Sequence, residues 1–257
     1  MLPQNELLKG KKGLIVGIAN RHSIAAGCAA AFRASGAELC ITYQNDKAKP
    51  FVEPVAEAVG AEMFLPLDVT DHAQTDAVFE EIENTWGELD FLLHSIAFCP
   101  RDDLHGRVVD CSQDGFALAM DVSVHSLIRL AKRAEPLMAA GGTILTVSYH
   151  GAEKVVDNYN VMGPVKAALE ATTRYLSVEL GPKNIRVNAL SPGPLQTRAA
   201  SGIDHFDALI DDAKTRAPLH RLTTIDEVGA MAACLVTDFA RSVSGNTAYI
   251  DGGHHVV

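Results

Sequence analysis

Seven short runs of branched apolar residues, each followed by a longer stretch of helical period, constrain this chain more than any single motif. The runs are "LIVGI" (14–18), "ELCITY" (38–43), "MFLPL" (63–67), "LDFLLHSI" (89–96), "TILTVS" (143–148), "IRVNALS" (185–191) and "NTAYID" (246–251). Strands that alternate with helices build a parallel sheet, because each parallel crossover deposits a helix on one of its faces. Glycines mark where the helices stop: Gly36, Gly60, Gly87, and the pair Gly181-Pro182 after the long segment following Tyr159. The expectation is an α/β fold, a Rossmann-type doubly wound seven-stranded parallel sheet forming one domain over residues 1–257.

No Pro/Ser-rich linker interrupts the alternation. The one long segment without a clear element runs over 191–221. It follows the carboxyl end of a strand, where open α/β sheets bind ligands, and is the candidate substrate lid.

The formal charge of -10 argues against nucleic acid and against an anionic membrane surface, both of which demand a basic face. Five scattered cysteines without a C-x-x-C pair point to reduced thiols, not to a disulfide framework or a zinc site. Near the N-terminus, lysines flank a short apolar run that ends at Asn20, which fits neither a signal peptide nor a membrane span. The expected location is the cytoplasm.

A dinucleotide site is expected at the strand ends. The first strand runs into "GIANRHSIAAGCAAAF", with Gly17 at the turn, Ser23 as an N-cap, and the small residues Ala25, Ala26 and Gly27 opening a helix. Unpaired N–H groups and the positive end of the helix dipole suit a phosphate there. The stretch lacks the G-x-G-x-x-G fingerprint, and a tight strand-to-helix turn explains a lone glycine equally well. Gln44 after the second strand, Asp68 and Val69 after the third, and Ile96 after the fourth converge on the same crevice. Asp68 also reads as a helix cap and Ile96 as core. With Gln44 neutral, no arginine adjacent and Asp46 nearby, NADH is favoured, while Lys47 and Lys49 keep NADPH open.

Ser148, Tyr149, Tyr159 and Lys166 fall within nineteen residues. A phenol is a poor acid at neutral pH unless a nearby ammonium stabilises its anion. On an unbroken helix, seven residues place Tyr159 and Lys166 on one face, roughly 10 Å apart along the axis. Pro164 interferes with such a helix unless it sits at the first position of one beginning near Gly163, in which case Tyr159 precedes the regular helix and the seven-residue geometry is only approximate.

These residues together resemble the short-chain dehydrogenase/reductase superfamily over essentially the whole chain. "IRVNALSPGPLQT" (185–197) looks like that family's strand and loop beside the nicotinamide, and "VSGNTAYIDGG" like its C-terminal strand. The superfamily's usual Tyr-x-x-x-Lys is replaced here by Tyr-x6-Lys. With "GIANRHSIA", "HSIAF", "NYNVMG" and "ASGI", the departure is similar to the divergent branch that contains the bacterial NADH-linked enoyl-acyl-carrier-protein reductases.

The resemblance implies reduction of a trans-2-enoyl thioester in fatty-acid elongation, a homotetramer, and an acyl-carrier-protein substrate entering under 191–221. It implies that Tyr149 and Tyr159 are the active-site pair and that Lys166 binds the ribose. Gly17, Ser23, Ile24, Gln44, Asp68, Val69 and Ile96 then contact the cofactor. Leu195 with Gln196, Thr197, Arg198 and Ala199 holds the nicotinamide and pyrophosphate, and Cys99 lies beside the substrate. His150 stands where the family commonly has an apolar residue, and reads as a solvated loop histidine without a role. Arg198, His205, Lys214, Arg216, His220 and Arg221 make the lid region locally basic, enough to dock an acidic carrier. The rivals are an ordinary ketoacyl or alcohol dehydrogenase, disfavoured by the spacing, and a non-catalytic dinucleotide sensor, which needs no tyrosine–lysine constellation.

Overall fold

A computed structural model of the chain describes residues 6–195 and 206–257, of which 206–208 by backbone only. Its strands are β1 (Lys12–Val16), β2 (Glu38–Tyr43), β3 (Met63–Pro66), β4 (Phe91–His94), β5 (Gly142–Val147), β6 (Ile185–Pro192) and β7 (Thr247–Ile250). They form one sheet in the order β3-β2-β1-β4-β5-β6-β7, with every neighbouring pair parallel. The chain winds outward in both directions from β1 and β4, so the crevice beyond their carboxyl ends is the switch point where such sheets take ligands.

The helices are α1 (Ile24–Ala34), α2 (Lys49–Ala58), α3 (His72–Trp86), α4 (Arg101–His105), α5 (Gln113–Met120), α6 (Ser126–Ala134), α7 (Met162–Leu180), α8 (Phe206–Arg216) and α9 (Ile225–Val236). Alternate residues of β1 face opposite sides, as the strand period demands. Leu14 and Val16 join one core with Ile82, Leu127, Val165 and Leu169. Ile15 joins the other with Phe32, Val52 and Val228.

Gly36, Gly60 and Gly87 follow α1, α2 and α3 in positive φ, as the sequence suggests. The fourth expected stop differs. Helix α7 ends at Leu180 and passes into a 3-10 turn, Gly181–Lys183, and the left-handed residue is Asn184 (φ 59°), not Gly181 (φ −53°). Pro182 fits the opening of that turn, where a missing N–H costs nothing.

The segment 191–221 is more structured than a loop. Strand β6 continues to Pro192, and α8 buries Ile210 and Ala213. A π-helical turn, Asp121–His125, joins α5 to α6, a feature the sequence pattern does not announce.

Candidate active site

Gly17 ends β1 with φ 105°, and a Cβ added there would stand 2.1 Å from the Ser95 carbonyl oxygen and 3.2 Å from Ile96 Cγ1. The turn thus requires glycine and brings Gly17 and Ile96 face to face. Ser23 does sit at the N-cap of α1, but its side chain does not cap the helix. Its hydroxyl donates to the Asn20 carbonyl at 2.5 Å and so organises the turn before the helix. Gly27 serves packing: its Cβ would lie 2.4 Å from the Ile225 carbonyl of α9, so this small residue seats one helix on another and does not wait for a phosphate.

Gln44 and Asp68 come together at the ends of β2 and β3, with Gln44 Nε2 donating to Asp68 Oδ2 at 3.4 Å. The helix cap is Asp71, which accepts from the backbone of Ala73 and Gln74. Asp68 instead accepts from the backbone and the hydroxyl of Thr70. Partial burial works to raise its pKa, but these bonds and that from Gln44 hold it below the usual carboxylate range. Val69 is buried, and its carbonyl accepts from Arg129 Nη2 at 2.9 Å. Arg129, on α6 and paired with Asp121, escapes a reading of strand ends because it reaches this loop from sixty residues away.

Tyr159 lies outside α7. It is flanked by Asn158 (φ 62°) and Asn160 (φ 44°), and the helix starts at Met162, with Pro164 in its first turn. Proline is tolerated there because first-turn N–H groups lack helical partners. The single-face helix geometry therefore does not apply, and the tyrosine reaches the site from a turn. Its ring packs against that of Tyr149, with centroids 4.9 Å apart and planes inclined at 62°. Gly151 makes room, since a Cβ there would fall 2.5 Å from Tyr159 Cδ1.

Burial, together with Asp212 and Asp251, raises the Tyr149 hydroxyl above the ordinary phenol range. Burial, with Tyr149 and Glu170, does the same for Tyr159. Both phenols stay neutral at physiological pH, so each is a hydrogen-bond donor and neither is a stabilised phenolate. Lys166 is buried on α7, where its Nζ donates to the Val147 carbonyl at 2.6 Å. Burial lowers its pKa to about 8, partly offset by Glu170. One of its three donors is thus spent and two remain.

His150 is buried, not solvated: its Nδ1 has no partner and its ring meets that of His254 edge-on at 5.6 Å. The C-terminal turn covers it, which local sequence does not reveal. Burial and then His254 and Lys154 lower its pKa.

Cys99 is half-buried against the core that holds Leu14 and Val16, and its thiol is pushed up to about 11 by burial, then by Asp103 and Cys111, so it is a neutral group. Leu195 is buried against the core beneath the α1 side of the sheet. Gln196, Thr197, Arg198, Ala199 and His205 lie outside the described residues. Lys214, Arg216, His220 and Arg221 are exposed; Arg221 is paired with Glu227 at 2.6 Å and Arg216 with Asp212 at 3.4 Å.

The sequence reading also missed His94. At the end of β4 it is buried between Thr146 Oγ1 and Ser126 Oγ, each 2.8 Å away. Ser126 gives its one proton to the Val122 carbonyl, so it accepts from His94 Nε2–H and leaves Nδ1 to accept from Thr146. Burial lowers this imidazole to about 3 and keeps it neutral. A histidine ending an otherwise apolar strand is the signal that marks it.

One feature fits a bound ligand: the buried Tyr149 hydroxyl has no partner among the described residues. Among the described residues, no helix is long and apolar enough to cross a membrane, and no His/Cys/Asp/Glu cluster could hold a metal ion.

The enoyl-(acyl carrier protein) reductase family model matches residues 17–255. The chain is 49% identical over 257 residues to enoyl-[acyl-carrier-protein] reductase [NADH] 1 of Rhizobium meliloti, covering all of this chain and 94% of the relative. The crystal structure of the enoyl-(acyl-carrier-protein) reductase of Anaplasma phagocytophilum in complex with NAD superposes with a TM-score of 0.96 at 46% identity, covering 100% of this chain and 98% of that one. The Bacillus cereus reductase with NADP+ and indole naphthyridinone gives 0.95 at 43% identity, covering 98% of this chain and 99% of that one. Full-length likeness of this order, in sequence and in fold together, places the chain in the enoyl-(acyl carrier protein) reductase family.

Proposed function

We propose that this protein reduces the trans-2 double bond of enoyl thioesters carried on acyl carrier protein, in fatty-acid synthesis, with NADH as reductant. The observation that carries the reading is the pair of packed, neutral phenols of Tyr149 and Tyr159, with the buried Lys166 ammonium held on the Val147 carbonyl two residues before Tyr149, at the carboxyl end of β5. Bound along the strand ends, NADH supplies the hydride.

Gly17, Ser23 and Ile24 are positioned for the pyrophosphate at the turn into α1. Gln44, Asp68, Val69 and Ile96 are positioned for the adenosine half, Leu195 for the nicotinamide half, and Lys166 for the ribose. In the same proposal, Gln196, Thr197, Arg198 and Ala199, next in sequence after Leu195, hold the nicotinamide and pyrophosphate with it. The Asp68 carboxylate beside Gln44 repels a ribose 2′-phosphate, and Lys49 lies 5.5 Å from the Tyr43 ring centroid, which supports NADH over NADPH. A lower Michaelis constant for NADPH contradicts that preference.

Hydride addition to the β-carbon leaves negative charge on the thioester oxygen. A donor that binds this oxygen more tightly as charge develops accelerates the step. Tyr159 is proposed as that donor, with Tyr149 shaping the pocket and Cys99 bordering the acyl chain. A neutral phenol suits hydrogen-bond donation because it keeps its proton until the enolate forms.

The single 1–257 domain carries its substrate lid over 191–221, and the exposed Lys214 and Arg216 of α8 offer a basic docking site for an acidic carrier. The homotetramer of the same proposal is supported by apolar residues left exposed on α5 and α7, among them Phe116, Tyr175 and Val178, which are 41%, 74% and 76% exposed. Light scattering that gives a monomer mass contradicts it. A cytoplasmic location belongs to the same reading.

An ordinary ketoacyl or alcohol dehydrogenase is disfavoured because Tyr159 stands seven residues before Lys166, off the helix. A non-catalytic sensor has no use for two phenols packed together beside a lysine. NADH oxidation followed by absorbance, with a trans-2-enoyl thioester and separately with a 3-ketoacyl thioester, tests the reading. Turnover is expected with the enoyl substrate, and turnover with the keto substrate alone overturns it.

A further inference from the structure

Helix α7 carries a second buried ionisable side chain that the proposed chemistry leaves unused. Glu170 is 4% exposed and stands one helical turn after Lys166, so the two side chains project from neighbouring positions on one face. Its Oε1 accepts from the Ser148 hydroxyl at 2.5 Å. Ser148 follows the residue whose carbonyl holds the Lys166 ammonium, and it immediately precedes Tyr149. Its backbone N–H in turn donates to Leu190 of β6 at 2.7 Å. Thr247 of β7 also acts on this carboxyl, working to lower its pKa. One carboxyl thus links α7 to the strand end that carries Tyr149.

We propose that Glu170 is a positioning residue: it clamps Ser148, and with it Tyr149, to α7, and it is the counter-charge that keeps the buried Lys166 ammonium available to the cofactor ribose. The proposal rests on the reading of Lys166 as the ribose-binding lysine. A buried ammonium without a nearby anion loses its proton readily, and a carboxylate one turn away opposes that loss. Burial raises the pKa of this carboxyl above its ordinary value, and the Ser148 hydroxyl opposes that by favouring the ionised form. The other titratable groups around the pair are His94 of β4, Glu153 in the turn after β5, Arg174 of α7, Tyr249 of β7, and Tyr149 and Tyr159. His94 is neutral, Arg174 favours the carboxylate, and Glu153 opposes it.

The test is the dissociation constant of NADH, measured by fluorescence titration from pH 6.5 to 9 in the full-length protein, its Glu170→Gln, Ser148→Ala and Lys166→Ala variants. In the unsubstituted protein the affinity falls as pH rises through about 8, where Lys166 gives up its proton. Glu170→Gln retains an acceptor for Ser148 but removes the charge, and the midpoint moves down by about one pH unit. Ser148→Ala removes the tie between α7 and the Tyr149 segment, and turnover falls several-fold through the loosened Tyr149. An unchanged midpoint in Glu170→Gln, or an affinity loss of equal factor at every pH, overturns the proposal. Lys166→Ala separates the two levels: normal NADH affinity in that variant refutes the ribose assignment itself, whereas lost affinity there beside an unchanged Glu170→Gln profile refutes only the role of Glu170.

Discussion

Replacing Gly17 by alanine probes the turn from β1 towards α1 without touching a charged or catalytic group. The added Cβ must occupy a backbone with φ 105° and stands 2.1 Å from the Ser95 carbonyl oxygen and 2.6 Å from its carbon. Both atoms belong to backbone, so neither can rotate away. A side chain in this region of φ costs about 1–2 kcal/mol, and forcing extra volume into a packed site adds about 1–3 kcal/mol. The sum, about 2–5 kcal/mol, is either lost from stability or relieved by moving the β1 end away from the segment that carries Ile96. The first outcome lowers the melting temperature by about 4–20 °C for a chain of this size. The second spoils the approach of Gly17 to Ile96 and weakens NADH binding by at least tenfold. Differential scanning calorimetry of the ligand-free protein, paired with NADH titration, reads both. A Gly17→Ala protein with unchanged melting temperature and unchanged NADH affinity refutes the reasoning.

His94 predicts an acid sensitivity. Its folded pKa of about 3 lies below its ordinary value of 6.5, so the unfolded chain binds the proton first. Stability is fully present above about 6.5 and is lost as pH falls from there toward 3, by at most about 1.4 kcal/mol per pH unit. Urea denaturation from pH 7 to 5 should show this slope, and His94→Gln should flatten it; an equal slope in both contradicts the assignment. Charge reversal at Lys214 and Arg216 together should raise the Michaelis constant for carrier-bound substrate several-fold and leave that for a carrier-free thioester unaltered. Equal effects on both remove the docking site.

The sheet was legible because each strand is fixed by local pattern: every apolar run overlaps the strand it announced, and β2 spans the same residues. Gly36, Gly60 and Gly87 were readable as helix stops for the same local reason. The clustering of strand ends foretold that Gln44 and Asp68 meet and that Gly17 faces Ile96. What escaped depends on contacts between distant segments. Arg129 reaches the Val69 carbonyl from α6, Ser148 meets Glu170 across twenty-two positions, and His150 is buried by a C-terminal turn about a hundred residues away. Tyr159 was legible in part. Seven-residue spacing offered one helix face and Pro164 offered a helix beginning near Gly163 with the tyrosine before it; the second holds, and what local sequence did not announce is the left-handed backbone of Asn158 and Asn160.

The proposed role of Tyr159 answers to one measurement: single-turnover hydride transfer, followed by stopped-flow loss of NADH absorbance with a saturating trans-2-enoyl thioester, in the unsubstituted protein and in Tyr159→Phe. Removing a donor aimed at developing oxyanion charge costs about 10²–10³ in rate. The account predicts a fall of that size with NADH affinity retained; a Tyr159→Phe protein that transfers hydride at the unsubstituted rate contradicts it.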